Sequence, residues 1–147
     1  MRSANYSQIE VFKEKVKAIA GVQQVDGSSY YPGIVETRYI FQVETESGLK
    51  SRLVPTIFCG LDYLDALGVK IASGRDFQSE DNSREAAGYI INKAAAREFG
   101  WEQPIGRIIN GPVGANDETD RTGEVVGVVE DFKFTTLHNK VDPLILF

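Results

Sequence analysis

The spacing of apolar residues predicts one amphipathic helix near the beginning of the chain. Ser7 and Glu10 form an S-x-x-E capping box, a pattern typical of a helix start. Four apolar residues then recur at helical spacing: Ile9, Phe12, Val16 and Ile19. Gly21 follows where a left-handed C-cap is favoured. We expect this helix to turn its apolar stripe toward a core.

From residue 22 to residue 59 the pattern changes to that of strands. Residues 22–25 are a short strand candidate. Three apolar residues then alternate with polar neighbours, as in a half-buried strand: Tyr39, Phe41 and Val43. Ser47 and Gly48 indicate a hairpin turn into a second strand.

The second half of the chain alternates short helices with strands. Residues 62–67 predict a helix ended by Gly68, and residues 78–85 an exposed loop. A strand at residues 88–91 leads to Asn92, which can cap a helix at residues 93–99.

Near the end, polar and apolar stretches separate clearly. Residues 110–122 are rich in glycine and acidic residues, which favours a mobile loop. Residues 125–129 are a nearly continuous apolar run, typical of a strand buried on both faces. The apolar tail at residues 143–147 predicts either a pairing strand or a chain that stops inside a larger domain.

Composition and charge restrict the functional classes. The 147 residues are 42% hydrophobic and 25% charged, which fits one globular domain or two small subdomains. The net charge is -5 and the basic residues are scattered, which argues against binding to nucleic acid or to an anionic lipid surface. No apolar run approaches the roughly 20 residues that span a bilayer.

Residues suited to catalysis or metal binding are scarce. His138 and Cys59 are the single histidine and cysteine, too few for a structural zinc site. The sequence contains no phosphate-binding glycine motif and no hydrolase nucleophile elbow. We therefore expect no catalytic residue, no metal and no cofactor.

Four segments, taken in order, resemble the periplasmic core domain of MacB-like ABC transporter permeases. They are A-G-V-Q-Q-V at 20–25, G-R-D-F at 74–77, Y-I-I-N at 89–92 with P-I-G-R at 104–107, and V-V-G-V-V-E-D-F at 125–132 with P-L at 143–144. Their family-motif residues, which we expect to be structural, are Gly21, Gly74, Arg75, Phe77, Asn92, Pro104, Gly106, Gly127, Asp131, Phe132 and Pro143.

Two local roles can also be predicted. Arg75 should bind backbone carbonyls or a carboxylate such as Asp76 or Asp131. Four aromatic residues should form one core: Phe77, Phe99, Trp101 and Phe132.

The resemblance also implies an architecture. The expected fold is α+β, with a mixed sheet, short helices, a porter-like βαβ part and an inserted mixed subdomain roughly within residues 35–125. Residues 1–147 would form one extracytoplasmic domain, a fragment of a larger permease that lacks the family's later βαβ unit.

The function that the resemblance implies is mechanical. The domain of an inner-membrane protein would couple cytoplasmic ATP hydrolysis to substrate export or extraction. Its partners would be an ABC ATPase, a periplasmic adaptor and a second permease copy. The alternative is a non-catalytic sensing module that binds a peptide or lipid in an apolar pocket lined by Tyr30, Tyr31, Tyr39 and Phe41.

Overall fold

A computed structural model describes residues 4–30, 37–82, 87–112, 121–134 and 141–147. These ranges contain helices α1 (Ala4–Lys17), α2 (Tyr63–Leu67) and α3 (Lys93–Phe99), together with a 3-10 helix at Ser79–Asn82. The strands are β1 (Arg38–Thr45), β2 (Gly48–Ile57), β3 (Ile71–Gly74), β4 (Ala87–Asn92), β5 (Ile108–Gly111), β6 (Arg121–Val129) and β7 (Ile145–Leu146). No helix of the described residues is long and apolar enough to cross a membrane.

Six strands close into a ring of hydrogen-bonded neighbours. Their order is β6-β4-β7-β2-β1-β5, and β5 pairs again with β6. β3 pairs with the later part of β6, beyond the stretch that pairs with β5. Two pairs, β2–β7 and β4–β6, are parallel and the others are antiparallel. The sheet is therefore mixed, and the α+β prediction is confirmed.

The β1–β2 hairpin follows the predicted alternation. Thr45 pairs with Gly48 across the turn, and the Thr45 hydroxyl donates to the Gly48 carbonyl over 2.7 Å. Phe41 and Val43 are fully buried, whereas Ile40 on the opposite face is 46% exposed. One face of this hairpin therefore lines the core, as period-two patterning requires.

The first core cluster is enclosed by the ring of strands. Its buried members include Phe41, Tyr89 and Ile145. Phe99 and Trp101, at and just beyond the end of α3, belong to the same cluster, and the Trp101 indole donates to the Glu44 carbonyl over 2.6 Å. This contact satisfies the indole N–H in its buried position.

A second cluster covers the other face of β4 and β7. It contains Ile57, Leu64, Ile90 and Leu146. Because side chains alternate along β4, Tyr89 enters the first cluster and Ile90 the second. Both faces of β4 are buried as a result.

The prediction of one aromatic core is wrong. Phe99 and Trp101 pack edge to face in the first cluster, with ring centroids 4.9 Å apart. Phe77 and Phe132 are half-buried against the second cluster instead. The sheet lies between the two clusters and separates the pairs.

The apolar stripe of α1 does not face a core, contrary to the prediction. Phe12 is 63% exposed, Ile19 59% and Ile9 42%, while Val16 is half-buried. The helix ends at Lys17, and Gly21 has a left-handed φ of 92° in the turn that follows. The side chain of Ser7, the first half of the predicted capping box, lies outside the described residues.

Other local predictions have mixed outcomes. Residues 22–25 form no strand, and Ser28 makes only an isolated bridge with Cys59. Residues 110–111 and 121–122 belong to β5 and β6, so the predicted 110–122 loop is wrong at both ends. Residues 113–120 lie outside the described part. The tail pairs as β7, between β2 and β4, as the first alternative predicted.

Candidate functional site

Arg75 and Asp81 form a bidentate ion pair beside β3. Arg75 Nη1 donates to Asp81 Oδ2 over 2.6 Å, and Nη2 donates to Oδ1 over 2.8 Å. The Gln78 amide also donates to Oδ2 over 2.7 Å. The hydrogen bond from Arg75 is the main reason that the pKa of Asp81 lies below its usual value.

Arg75 binds a backbone carbonyl and a carboxylate, as predicted, but the carboxylate is neither of the two named as examples, Asp76 and Asp131. Arg75 does reach a backbone carbonyl, that of Asp76, over 3.0 Å. Its carboxylate partner is Asp81, because the 3-10 helix folds back toward β3. Asp81 is only 8% exposed, although its segment was predicted to be an exposed loop.

Two motif glycines allow the close approach that positions Arg75. A Cβ atom on Gly127 would lie 2.2 Å from the Arg75 carbonyl oxygen, and one on Gly74 would lie 2.3 Å from the Val126 carbonyl oxygen. The Arg75 amide donates to that Val126 carbonyl over 2.9 Å. Larger residues at either glycine would push β3 away from β6.

Asn92 joins the start of α3 to the segment before β7. Its Oδ1 accepts from the amides of Ala95, over 2.9 Å, and Leu144, over 3.0 Å. Its Nδ2 donates to the Asp142 carbonyl over 2.8 Å. The predicted capping of α3 by Asn92 is confirmed, and the two contacts with residues 142–144 could not be anticipated from local spacing.

Asp131 provides a second contact at the same helix end. Its Oδ1 accepts from the Ala94 amide over 2.8 Å, and its Oδ2 pairs with Arg97 over 2.6 Å. Negative charge at a helix start also interacts favourably with the helix dipole. The segment after β6 is thereby held against α3.

The remaining motif residues lie in turns and on the second cluster. The Gly106 amide, in a turn with φ of 82°, donates to the Val125 carbonyl over 2.8 Å. Pro104 accepts from the Arg107 amide over 3.1 Å in the same turn. Pro143 is half-buried just before Leu144.

A buried carboxylate that the sequence analysis missed holds α1. Lys13 Nζ lies 2.9 Å from Asp26 Oδ1, and the Asp26 side chain is only 2% exposed. Asp26 also accepts from the amides of Gly27, over 2.8 Å, and Asp62, over 2.9 Å. The hydrogen bond to Asp26 is the main reason that the pKa of Lys13 is raised.

A second ion pair, between Lys17 and Asp62, spans 3.6 Å on the same side of α1. The sequence carries one signal of this arrangement, Gly60, where a Cβ atom would lie 2.1 Å from Asp26 Oδ1. The sequence alone does not indicate why residue 60 is a glycine, because Asp26 and Gly60 are distant along the chain.

The described residues contain no group of three or more histidine, cysteine or acidic side chains that could hold a metal ion. Burial raises the pKa of the Cys59 thiol, so this sulfur is protonated at neutral pH. His138 lies outside the described residues.

Among the described residues of the predicted aromatic pocket, Tyr30, Tyr39 and Phe41 do not line a common cavity. Phe41 is fully buried in the first cluster, and Tyr39 packs edge-on against Phe58 at 5.4 Å. Tyr30 instead borders a cleft of about 310 Å³ together with Asp26 and Tyr63. Tyr31 lies outside the described residues.

A comparison with protein families identifies the family in which these motifs occur. The family described as the MacB-like periplasmic core domain matches residues 2–147. The chain belongs to this family. The resemblance carried by the four ordered motifs is therefore confirmed, and the chain is a periplasmic core domain of the MacB-like permease type.

Three solved domains share its fold. A permease-protein domain from Porphyromonas gingivalis is 19% identical with a TM-score of 0.60, covering 91% of this chain and 54% of that one. The periplasmic region of MacB from Actinobacillus actinomycetemcomitans is 18% identical with a TM-score of 0.59, covering 93% and 53%. The extracellular domain of the ABC-type transporter YknZ from Gram-positive bacteria is 20% identical with a TM-score of 0.57, covering 94% and 60%.

The MacB-like chain thus spans between half and three fifths of the length of these solved domains. No curated protein sequence matches it significantly.

Proposed function

We propose that this domain transmits movement in an ABC transporter permease and performs no bond chemistry. The family match over residues 2–147 carries the proposal. The polar motif side chains support it, because Arg75, Asn92 and Asp131 are engaged in contacts that fix backbone geometry. The domain needs no cofactor for such a role.

The proposed partners follow from the permease context. A cytoplasmic ABC ATPase would hydrolyse ATP, and the inner-membrane part of the permease would pass the resulting movement to this domain. Contacts with a periplasmic adaptor and with a second permease copy would convert the movement into substrate export or extraction.

The attachment of α1 supports a mechanical role. The ring of strands encloses an apolar cluster, whereas Phe12 on α1 and Ile19 just after it are exposed. The helix is joined to the body through the ion pairs Lys13–Asp26 and Lys17–Asp62. The Lys17–Asp62 pair is exposed at both members and costs little to break, whereas the Lys13–Asp26 pair is buried and is the contact that holds α1 in place. We propose that α1 changes its packing during the transport cycle.

The test uses the full transporter in which this domain occurs. Lys13→Met removes the cation that pairs with Asp26, so we expect less substrate transported per ATP hydrolysed while the ATPase rate is retained. Lys15→Met is the matched control, because Lys15 is exposed on the same helix. Equal transport by both variants and the wild type would argue against a role for α1. Undiminished transport after deletion of the whole domain would overturn the proposed function.

A further inference from the structure

An apolar cleft of about 400 Å³ opens between α2 and the segment that follows β6. Ile57 and Phe134 at its base are almost completely buried, and Tyr63 is 6% exposed. Three partly exposed apolar side chains complete the lining: Leu67, Val69 and Phe132. The volume lies at the lower end of the range for small-molecule sites and is too small for a folded partner.

Lys70 places a positive charge at the mouth of this cleft. Lys70, Lys133 and Glu130 all border it. Glu130 is already paired with Lys93 over 2.7 Å. Lys70 has no ion pair within the part of the chain that the structure describes.

We propose that the cleft binds a single-chain anionic amphiphile, a medium-length fatty acid, with its carboxylate at Lys70. The apolar lining would remove the hydrocarbon chain from water, which is the main source of affinity. The lysine at the mouth would select an acid over a neutral amphiphile of equal length. This inference adds a ligand site to the domain and does not depend on coupling to ATP hydrolysis.

Calorimetric titration tests the contribution of the apolar lining to binding. The chain is titrated with hexanoate, octanoate and decanoate below their micelle concentrations. We expect Kd to fall by about fourfold for each added methylene, the factor that corresponds to about 0.8 kcal/mol per buried CH₂. Alcohols of the same lengths should bind more weakly than the acids. Absence of binding by decanoate would overturn the proposal.

Two substitutions locate the site. Leu67→Trp fills the cleft and should abolish binding, while Leu53→Trp, on the exposed face of β2, should not. Leu67 is 39% exposed, so the tryptophan can be placed without disrupting the core. Circular dichroism verifies that both variants fold.

Lys70→Gln tests the charge at the mouth. It should weaken decanoate binding about three- to tenfold, the range expected for one charge-assisted contact at a partly exposed site, and leave decanol binding unchanged. Lys15→Gln on α1 is the matched control. If decanoate binds Lys70→Gln and Leu67→Trp as tightly as the wild type, the fatty acid binds elsewhere and the proposal is wrong.

Discussion

Arg75, Asp81 and Asn92 are engaged by neighbouring groups at several of their polar atoms. Arg75 donates to both oxygens of Asp81, and Asp81 accepts a backbone amide as well. The fully buried side chain of Asn92 accepts two hydrogen bonds at Oδ1 and donates one from Nδ2. Polar groups satisfied in this way stabilise one geometry strongly, because every alternative leaves a buried group unpaired.

The ionisation of Asp81 and that of Asp76 should affect the free energy of unfolding in opposite directions. Arg75 lowers the pKa of Asp81 in the folded chain, so the Asp81 carboxylate stabilises the fold fully above its unfolded-state pKa of about 3.9. This stabilisation is lost as the pH falls through the lower folded-state pKa. Asp81→Asn should therefore reduce the free energy of unfolding by about 1–3 kcal/mol at pH 7. The difference in free energy of unfolding between Asp81→Asn and the wild type, measured by urea denaturation, should become smaller below about pH 4.

Asp76→Asn is the control with the opposite sign. Burial raises the pKa of Asp76, so its charged form is penalised in the folded chain at neutral pH. Removing that charge should cost no stability at pH 7. A pH-independent loss in Asp81→Asn, or a larger loss in Asp76→Asn, would contradict the assignment.

Arg75→Ala tests the other side of the same ion pair. It leaves the Asp81 carboxylate, which is 8% exposed, without its cation, so we expect a lower Tm with little change in partner or ligand binding. Thermal unfolding followed by circular dichroism measures the first effect, and calorimetric titration the second. Unchanged stability together with lost transport coupling would show that Arg75 acts in a partner contact.

Asn92→Ala should be among the most damaging single changes in the chain. It removes a helix cap, worth about 0.5–2 kcal/mol, and leaves the Leu144 amide and the Asp142 carbonyl without their partner. We expect a total loss of about 2–4 kcal/mol in urea denaturation. Asn82→Ala, at an exposed position, is the control and should stay within about 0.5 kcal/mol of the wild type. Equal effects of the two substitutions would contradict the role of Asn92.

The sequence predicts contacts between residues close in sequence better than contacts between residues distant in sequence. The capping of α3 by Asn92 depends on residues three positions apart, and the sequence predicts it correctly. The contact of Asp26 with Asp62 joins residues 36 positions apart, and no local pattern indicates it. Asp81 was missed for a similar reason, since its burial depends on Arg75 and on the fold of β3 against β6.

At the scale of elements, the period of the apolar residues predicts whether a segment is a helix or a strand. It predicts less well what that element packs against. The alternation of β1 and the two-sided burial of β6 agree with the sequence. The stripe of α1 has the correct helical period, but a helical wheel does not say what covers it. The described residues leave Phe12 and Ile19 exposed.

Substitution of Phe12 tests this exposure directly. Phe12→Ser should change the free energy of unfolding by no more than about 0.5 kcal/mol, because the ring is 63% exposed. Phe99→Ser is the comparison, since Phe99 is 4% exposed and packs edge to face with Trp101, and it should cost at least about 3 kcal/mol. Both values come from urea denaturation of the isolated chain. A loss of about 2 kcal/mol or more in Phe12→Ser would show that α1 is packed against a core after all.

At the scale of the whole molecule, the ring is closed by pairings that are remote in sequence. β7 pairs with β2 through Thr56 and Ile145, and with β4 through Ile90 and Leu146. A strand of two residues therefore joins two halves of the sheet. The apolar tail indicated that these residues are buried, but its position between β2 and β4 could not be predicted, because strand order depends on contacts that leave no periodic signal.

This topology predicts that the two ends of the chain differ greatly in importance. Deletion of residues 145–147 removes β7, opens the ring and takes Ile145 and Leu146, both fully buried, out of the two clusters. Each such side chain is worth about 2–5 kcal/mol, so the two together are comparable with the usual total stability of about 5–15 kcal/mol, and the lost strand pairings add to the destabilisation. A chain that begins at residue 18 lacks α1 but keeps the ring, and Asp26 keeps its hydrogen bonds from Gly27 and Asp62. We therefore expect circular dichroism and gel filtration to show an unfolded first variant and a compact second one. The reverse outcome would mean that α1, and not β7, completes the core.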